Sequence, residues 1–155
     1  MIRLIVAVDS KSGIAKDGRM PWSLPNELAY FHNRIRGSSI IIGHNTHNAI
    51  GRALPESHNY VCSRRSQPAK PGVTWIKDPT KFIDSFTNDL WVIGGQEIYE
   101  LALPHADEVY ITRIDADFSC DKFFPQLPKA FKLQSSSAPK AENGLSYHFE
   151  IWTKD

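Results

Sequence analysis

Leu90-Trp91-Val92-Ile93-Gly94-Gly95-Gln96-Glu97-Ile98-Tyr99 passes from an apolar run through a glycine pair into a stretch with helical spacing. Leu90–Ile93 is wholly apolar, as a strand buried on both faces requires. Gln96–Leu103 then places Ile98, Tyr99, Leu101 and Ala102 toward one side, and Pro104 ends the run. A strand feeding straight into a helix is the building unit of an α/β sheet. Ile40-Ile41-Ile42-Gly43-His44-Asn45-Thr46 repeats the unit, with Thr46 as helix cap or ligand.

Outward from these two turns, the runs Ile2–Val8, Ser39–Ile42, Asn59–Cys62, Val73–Ile76, Val109–Ile114 and Tyr147–Trp152 read as strands. Between them, Asn26–Ile35 spaces Leu28, Phe31 and Ile35 at helical intervals, with Pro25 at its start, where a missing N–H costs nothing. Pro79–Phe86 does the same with Phe82, Ile83 and Phe86. The tail differs: Tyr147, Phe149 and Ile151 alternate with His148, Glu150 and Trp152, as in an antiparallel or edge strand. Arg65–Gly72 and Ser135–Gly144 are rich in turn residues and read as loops. The expected architecture is one α/β domain over residues 1–155 with a mixed, mostly parallel sheet.

Composition narrows the function. A chain of 155 residues with 41% hydrophobic and 23% charged residues builds a core rather than a disordered coil. Lys+Arg 18 against Asp+Glu 17 gives a net charge of +1, which argues against a dedicated nucleic-acid binder. That total hides a split: residues 1–65 carry nine Lys/Arg and four Asp/Glu (+5), and residues 66–155 nine against thirteen (−4). The longest apolar run, Leu4–Val8, is far short of the ~18 residues of a membrane span. Asp9 interrupts it too early for a secretory signal. Cys62 and Cys120 form neither a CxxC motif nor a disulfide framework, so a cytoplasmic location is the default.

Few residues offer chemistry. Both glycine turns present free N–H groups of a helix start, a phosphate cradle, although a plain strand–helix connection has the same sequence. Neither has GxGxxG or GxxxxGK[ST] spacing. Ser63-Arg64-Arg65, after a strand, suits an extra phosphate such as the ribose 2′-phosphate of NADP; a solvated turn reads the same way. In Pro21-Trp22-Ser23-Leu24-Pro25-Asn26-Glu27-Leu28, Glu27 is either a dipole complement on the surface or a carboxylate facing a cleft among Trp22, Leu28 and Phe31. In a cleft its charge needs a cationic or amidine-like partner. The histidines show no metal spacing, no HExxH or GxSxG occurs, and no metal is expected.

Taken in order, Leu4–Val8, Gly13-Ile14-Ala15, Pro21–Leu28, Ile42–Thr46, Ile50-Gly51-Arg52-Ala53-Leu54-Pro55, Ile93-Gly94-Gly95 with Ile98-Tyr99, and Tyr110-Ile111-Thr112 closely resemble dihydrofolate reductase of the bacterial chromosomal type. The resemblance continues through Asp115–Asp117, Asp121, Phe124-Pro125 and the closing strand, nearly end to end. It implies a mixed sheet of about eight strands flanked by about four helices, and NADPH-dependent reduction of 7,8-dihydrofolate in tetrahydrofolate synthesis. It also implies a monomer without nucleic-acid or membrane partners. Glu27 would grip the pterin and promote N5 protonation, supported by Thr112, with Trp22 also at the catalytic centre. Ile5, Leu28, Phe31, Ile50, Leu54, Ile93 and Tyr99 would line the substrate pocket. On the cofactor side, Ala7 and Ile14 would fix the carboxamide, and Gly43, His44, Asn45, Thr46 with Gly94, Gly95, Gln96, Glu97 and Ile98 the pyrophosphate. Ser63 and Arg64, with His44, would take the 2′-phosphate. Residues from about Ser10 to Leu24 would form a mobile loop, with Asp121 its partner in closure.

Three positions depart from the family pattern. Ser57 stands where an Arg usually binds the α-carboxylate of the substrate's glutamate tail. Losing a charge-assisted contact costs around 1.5–3 kcal/mol, roughly 10–150-fold in affinity. Either Arg52 or His32 reaches the tail, or folate is handled poorly, or the preferred substrate has no tail. His44 replaces a commoner Arg, which would weaken NADP preference or make it pH-dependent, and Ala15 replaces a usual Gly. Two other functions therefore stand beside the first: a reductase of a tail-less dihydropterin, and a silent folate- or nucleotide-binding homologue.

Overall fold

A computed structural model describes residues 1–154. In chain order the elements are β1 (Ile2–Val8), β2 (Gly13–Ala15), α1 (Pro25–Ile35), β3 (Ser39–Gly43), α2 (His44–Ile50), β4 (His58–Cys62), β5 (Val73–Ile76) and α3 (Pro79–Ser85). There follow β6 (Leu90–Val92), α4 (Gln96–Ala102), β7 (Glu108–Ile114), β8 (Lys122–Phe123), β9 (Phe131–Ser136), β10 (Lys140–Glu142) and β11 (Leu145–Lys154). The main sheet runs β10-β11-β7-β1-β6-β3-β4-β5, with β9 on the same edge of β11 as β10. From β7 to β5 every pairing is parallel; β11 pairs antiparallel with β7, β9 and β10. The mixed, mostly parallel sheet is thus as expected, with nine strands where about eight were anticipated. β2 and β8 form a separate two-stranded ribbon.

The extra strands come from the one segment misread as loop. Ser135–Gly144 contains the end of β9 and all of β10, followed by a tight turn at Asn143 and Gly144, both at positive φ. Alternation in β9 is confined to Phe131 and the exposed Leu133, and from Ser135 onward the side chains are exposed or partly exposed and nearly all polar; pairing with β11 makes these segments strands. α4 ends at Ala102, and Pro104 sits inside a 3₁₀ turn, Leu103–His105, that continues the helix before the break.

Alternation along the parallel strands divides the core. Leu4, Val6 and Val8 of β1 pack with Ile83, Ile98, Tyr99 and Ala102 of α3 and α4. Ile5, Ile40, Ile42, Val61, Trp91 and Ile93 face the other way, against Ile35, Tyr30 and Phe31 of α1. Both faces of the central strands are covered by helices, which is why those strands are apolar throughout. No helix among the described residues is long and apolar enough to cross a membrane.

Candidate active site

The start of α1 decides where Glu27 goes. Leu24 is buried and offers no side-chain cap, while Pro25 fixes the first helical φ. Capping comes from across the molecule: both Glu142 oxygens accept from Asn26 N, at 3.0 and 3.1 Å. Asn143 Nδ2 donates to Ser23 O at 2.8 Å. The β10–β11 hairpin thus anchors the helix start, which no local sequence signal announces.

So held, Glu27 is only 8% exposed. Thr112 Oγ1, on β7, donates to Glu27 Oε2 at 3.0 Å. No basic side chain among the described residues forms an ion pair with Glu27. Burial pushes its carboxyl above the usual carboxylate range, the Thr112 hydrogen bond opposes this, and the nearby Glu142 charge adds to it. Of the two readings of Glu27, the solvated surface carboxylate is excluded, because the side chain is buried.

Around it, Ile5, Leu54 and Ile93 are buried in one cluster with Phe31 packed against it. Leu28 and Ile50 stay 44% and 42% exposed. Tyr99 is placed differently from a pocket wall: it is buried, and its hydroxyl donates to Ile5 O at 2.7 Å. It supports β1 from behind. Trp22 is buried against Leu24, Ile114 and Tyr147, edge-on to Phe118 with ring centroids 5.4 Å apart. Its Nε1 is buried without a hydrogen-bond partner among the described residues.

The two glycine turns meet. Gly43 N donates to Gly94 O at 2.7 Å, and the Gly94–Gly95 peptide is cis. A Cβ on Gly95 would lie 2.7 Å from Thr46 Oγ1, and one on Gly94 would lie 3.3 Å from the Tyr99 ring. Gly94 also has φ +117°, where glycine is favoured. Backbone therefore approaches backbone here with no room for side chains, and the starts of α2 and α4 leave helix N–H groups beside the junction. A dinucleotide's pyrophosphate fits such a cradle, as it fits the carboxyl ends of parallel strands generally.

Other cofactor-side residues are already engaged. Arg64 pairs with Glu97 of α4. Ser63 Oγ donates to Arg65 O at 3.1 Å. Gln96 Oε1 accepts from Phe123 N at 2.8 Å, joining α4 to β8. His44 lies edge-on to Trp75 at 5.5 Å and contacts Asn48 Nδ2 at 3.2 Å. Asn45 and Thr46 lie in the first turn of α2, Ile98 is buried in α4, and Ala7 and Ile14 lie in β1 and β2. Asp121 does meet the loop: its Oδ2 accepts from Asp17 N at 3.0 Å.

Ser57 is engaged with the main chain. Its Oγ donates to Ile35 O at 3.2 Å, at the end of α1. Arg36 is paired with Glu56, and Arg34 lies over the Tyr30 and Tyr110 rings. A cavity of about 590 Å³ lies elsewhere, lined in part by Lys11, Arg113, Phe131 and Trp152, and contains none of the candidate site residues. The chemistry points instead to the Glu27 side: the strand that holds the acid's partner Thr112, β7, is separated by β1 alone from β6, which leads into the Gly94–Gly95 turn. Sequence reading missed Glu142 and Asp9; the spacing Asp9-Ser-Lys-Ser-Gly13 just after a strand is the Asx-turn signal that marks the second.

Fold and site define a single-domain α/β protein with two glycine turns at its strand ends and a buried acid, Glu27, that has no ion pair among the described residues. The chain belongs to the dihydrofolate reductase family, whose family model matches residues 1–154. It is 36% identical over 154 residues to the dihydrofolate reductase of Bacillus subtilis, covering 97% of this chain and 92% of that protein. It is 41% identical over 127 residues to that of Haemophilus influenzae, covering 80% and 78%. A solved dihydrofolate reductase from Enterococcus faecalis, complexed with NADP(H) and RAB-propyl, shares the fold with TM-score 0.90 at 23% identity, covering 100% of this chain and 96% of that one.

Proposed function

We propose that this chain reduces 7,8-dihydrofolate to 5,6,7,8-tetrahydrofolate with NADPH, using Glu27 as its single acid–base group. The observation that carries the assignment of Glu27 is its burial beside Thr112 with no ion pair among the described residues. A carboxylate kept there at the cost of desolvation has its natural partner in a ligand with paired N–H donors. The N3 and 2-amino edge of a pterin is such a partner.

Glu27 orients the ring, and its raised affinity for a proton lets it promote protonation at N5. Thr112 orients the carboxylate through Oε2, which keeps a second lone pair, so both oxygens can accept from the ligand's paired N–H donors. Trp22, buried in the segment that leads into the Glu27 helix, walls off water. Leu28, Phe31, Ile50 and Leu54 take the pterin and benzoyl surfaces, with Ile5 and Ile93 backbone beside the ring and Tyr99 behind Ile5.

NADPH, when bound, supplies the hydride. Gly43–Thr46 and Gly94–Ile98 would hold its pyrophosphate, Ala7 and Ile14 backbone its carboxamide, and Ser63, Arg64 and His44 its 2′-phosphate. Arg64 must exchange Glu97 for that phosphate. A reducing cytoplasm suits the free thiols of Cys62 and Cys120, which burial pushes up to about 12 and about 11.

The commitment of Ser57 Oγ to the Ile35 carbonyl favours a second reading, reduction of a tail-less dihydropterin. A side-by-side kinetic comparison of dihydrofolate and dihydropterin, each with NADPH and NADH, tests both. The first reading requires higher kcat/KM for dihydrofolate, and the second requires the reverse. No turnover with any pair would overturn both.

A further inference from the structure

Asp9 follows β1 directly and is 2% exposed, yet it has no basic partner among the described residues. Its two oxygens serve two different segments. Oδ1 accepts from Lys11 N at 2.9 Å and Gly13 N at 2.7 Å, at the entry to the Ser10–Leu24 loop. Oδ2 accepts from Phe118 N at 3.0 Å and lies 3.5 Å from Cys120 Sγ, on the opposing Ala116–Asp121 loop.

Each arm leads to the site. Through Gly13 the first reaches Ile14, in the next position of β2. Through Phe118 the second reaches Trp22, whose ring meets the Phe118 ring at 60°. Main-chain bonds reinforce the same junction: Asp9 N to Gly13 O at 2.9 Å and Ser10 N to Ala116 O at 2.9 Å. The packing leaves no slack, since a Cβ on Gly13 would lie 2.4 Å from Cys120 Cβ and 2.9 Å from Asp9 Oδ1. Farther out, the Asp17–Asp121 contact joins the same two loops at an exposed position.

We propose that Asp9 is a positioning residue for the reaction, a buried two-armed clasp that sets Ile14 and Trp22 over the site by fixing the Ser10–Leu24 loop against the Ala116–Asp121 loop. This rests on the reading of Trp22 and Ile14 given above. A carboxylate is required because backbone donors arrive at both oxygens; an amide in its place keeps one acceptor and turns an NH2 toward the other arm. Leaving buried N–H groups unpaired favours the opened loop.

The test compares wild type with Asp9→Asn, Asp9→Ala and Gly13→Ala, all assayed well below their melting temperatures. The expected order of kcat is wild type, then Asp9→Asn, then Asp9→Ala, with the last roughly tenfold or more below wild type and the KM values changed less. In parallel, amide exchange at Gly13, Ile14 and Phe118 should accelerate in both Asp9 variants, with the Trp22 indole N–H resonance displaced and the β1 and β7 amides still protected. Gly13→Ala, which displaces the clasp without removing the carboxylate, should reproduce both effects and decides the matter if an Asp9 variant does not fold. Loop protection and kcat both within twofold of wild type would overturn the clasp. If wild type itself turns over no substrate, the reduction reading fails, while the exchange experiment still tests the clasp.

Discussion

Thr112, inside β7, and Glu27, in the first turn of α1, are 85 positions apart and share a buried hydrogen bond of 3.0 Å. β7 lies next to β1 in the middle of the sheet, and its antiparallel neighbour β11 leads back to the hairpin whose Glu142 caps α1. The acid is thus fixed from two sides, by a hydroxyl beneath it and by the cap on its own helix. Its protonation responds to both.

Glu27→Gln should lower kcat/KM by about 10²–10⁴-fold, the usual contribution of a positioned acid–base group. The same change should raise the melting temperature at neutral pH. Because the folded-state pKa is raised, the cost of the Glu27 charge to stability grows as pH rises from the ordinary carboxylate range through the raised value. Below that range wild type is protonated and the advantage of Gln should vanish. Thermal melts of both proteins across pH check this, and equal melting temperatures at neutral pH would refute it.

Thr112→Val removes the hydrogen bond that opposes burial, so the Glu27 carboxyl should rise further. The alkaline limb of the kcat/KM profile should move to higher pH, and kcat/KM should fall about tenfold, the worth of a hydrogen bond to a charged group. A pH–rate profile that does not move removes Thr112 from the site.

Gly95→Ala should raise KM for NADPH about tenfold while dihydrofolate KM stays within about twofold, because the new methyl meets Thr46 Oγ1 inside the cradle. Initial-rate kinetics with each substrate varied in turn distinguish this from a general loss of folding.

Arg64→Ala should weaken NADPH binding by roughly 10–150-fold and leave NADH untouched, since only the former carries the 2′-phosphate. Glu97→Gln should act in the opposite sense, because it releases Arg64 from its present partner. Fluorescence titration with both cofactors measures each effect.

Ser57→Arg restores a cation beside the end of α1 and should lower KM for dihydrofolate by roughly 10–150-fold without helping dihydropterin. An unchanged folate KM would mean that tail recognition does not depend on this position.

The sequence by itself determined the parallel core and the two glycine turns, because both are local: apolar runs declare burial on two faces, and Gly declares close backbone approach. It determined Ser57 as a departure as well, though not that its hydroxyl is bound to Ile35 O. Tertiary structure decided the rest. A first-turn Glu on an amphipathic helix has the same local pattern whether solvated or buried; the distant hairpin that anchors the start of α1 and Thr112 on β7 made Glu27 a buried, hydrogen-bonded acid. β9 and β10 became strands through β11 despite polar surfaces. Asp9 became a clasp only when Phe118 arrived from 109 residues away. Periodicity records what each residue turns toward the core; a carboxylate's partners lie across the fold, so its protonation and role are settled when the chain closes on itself.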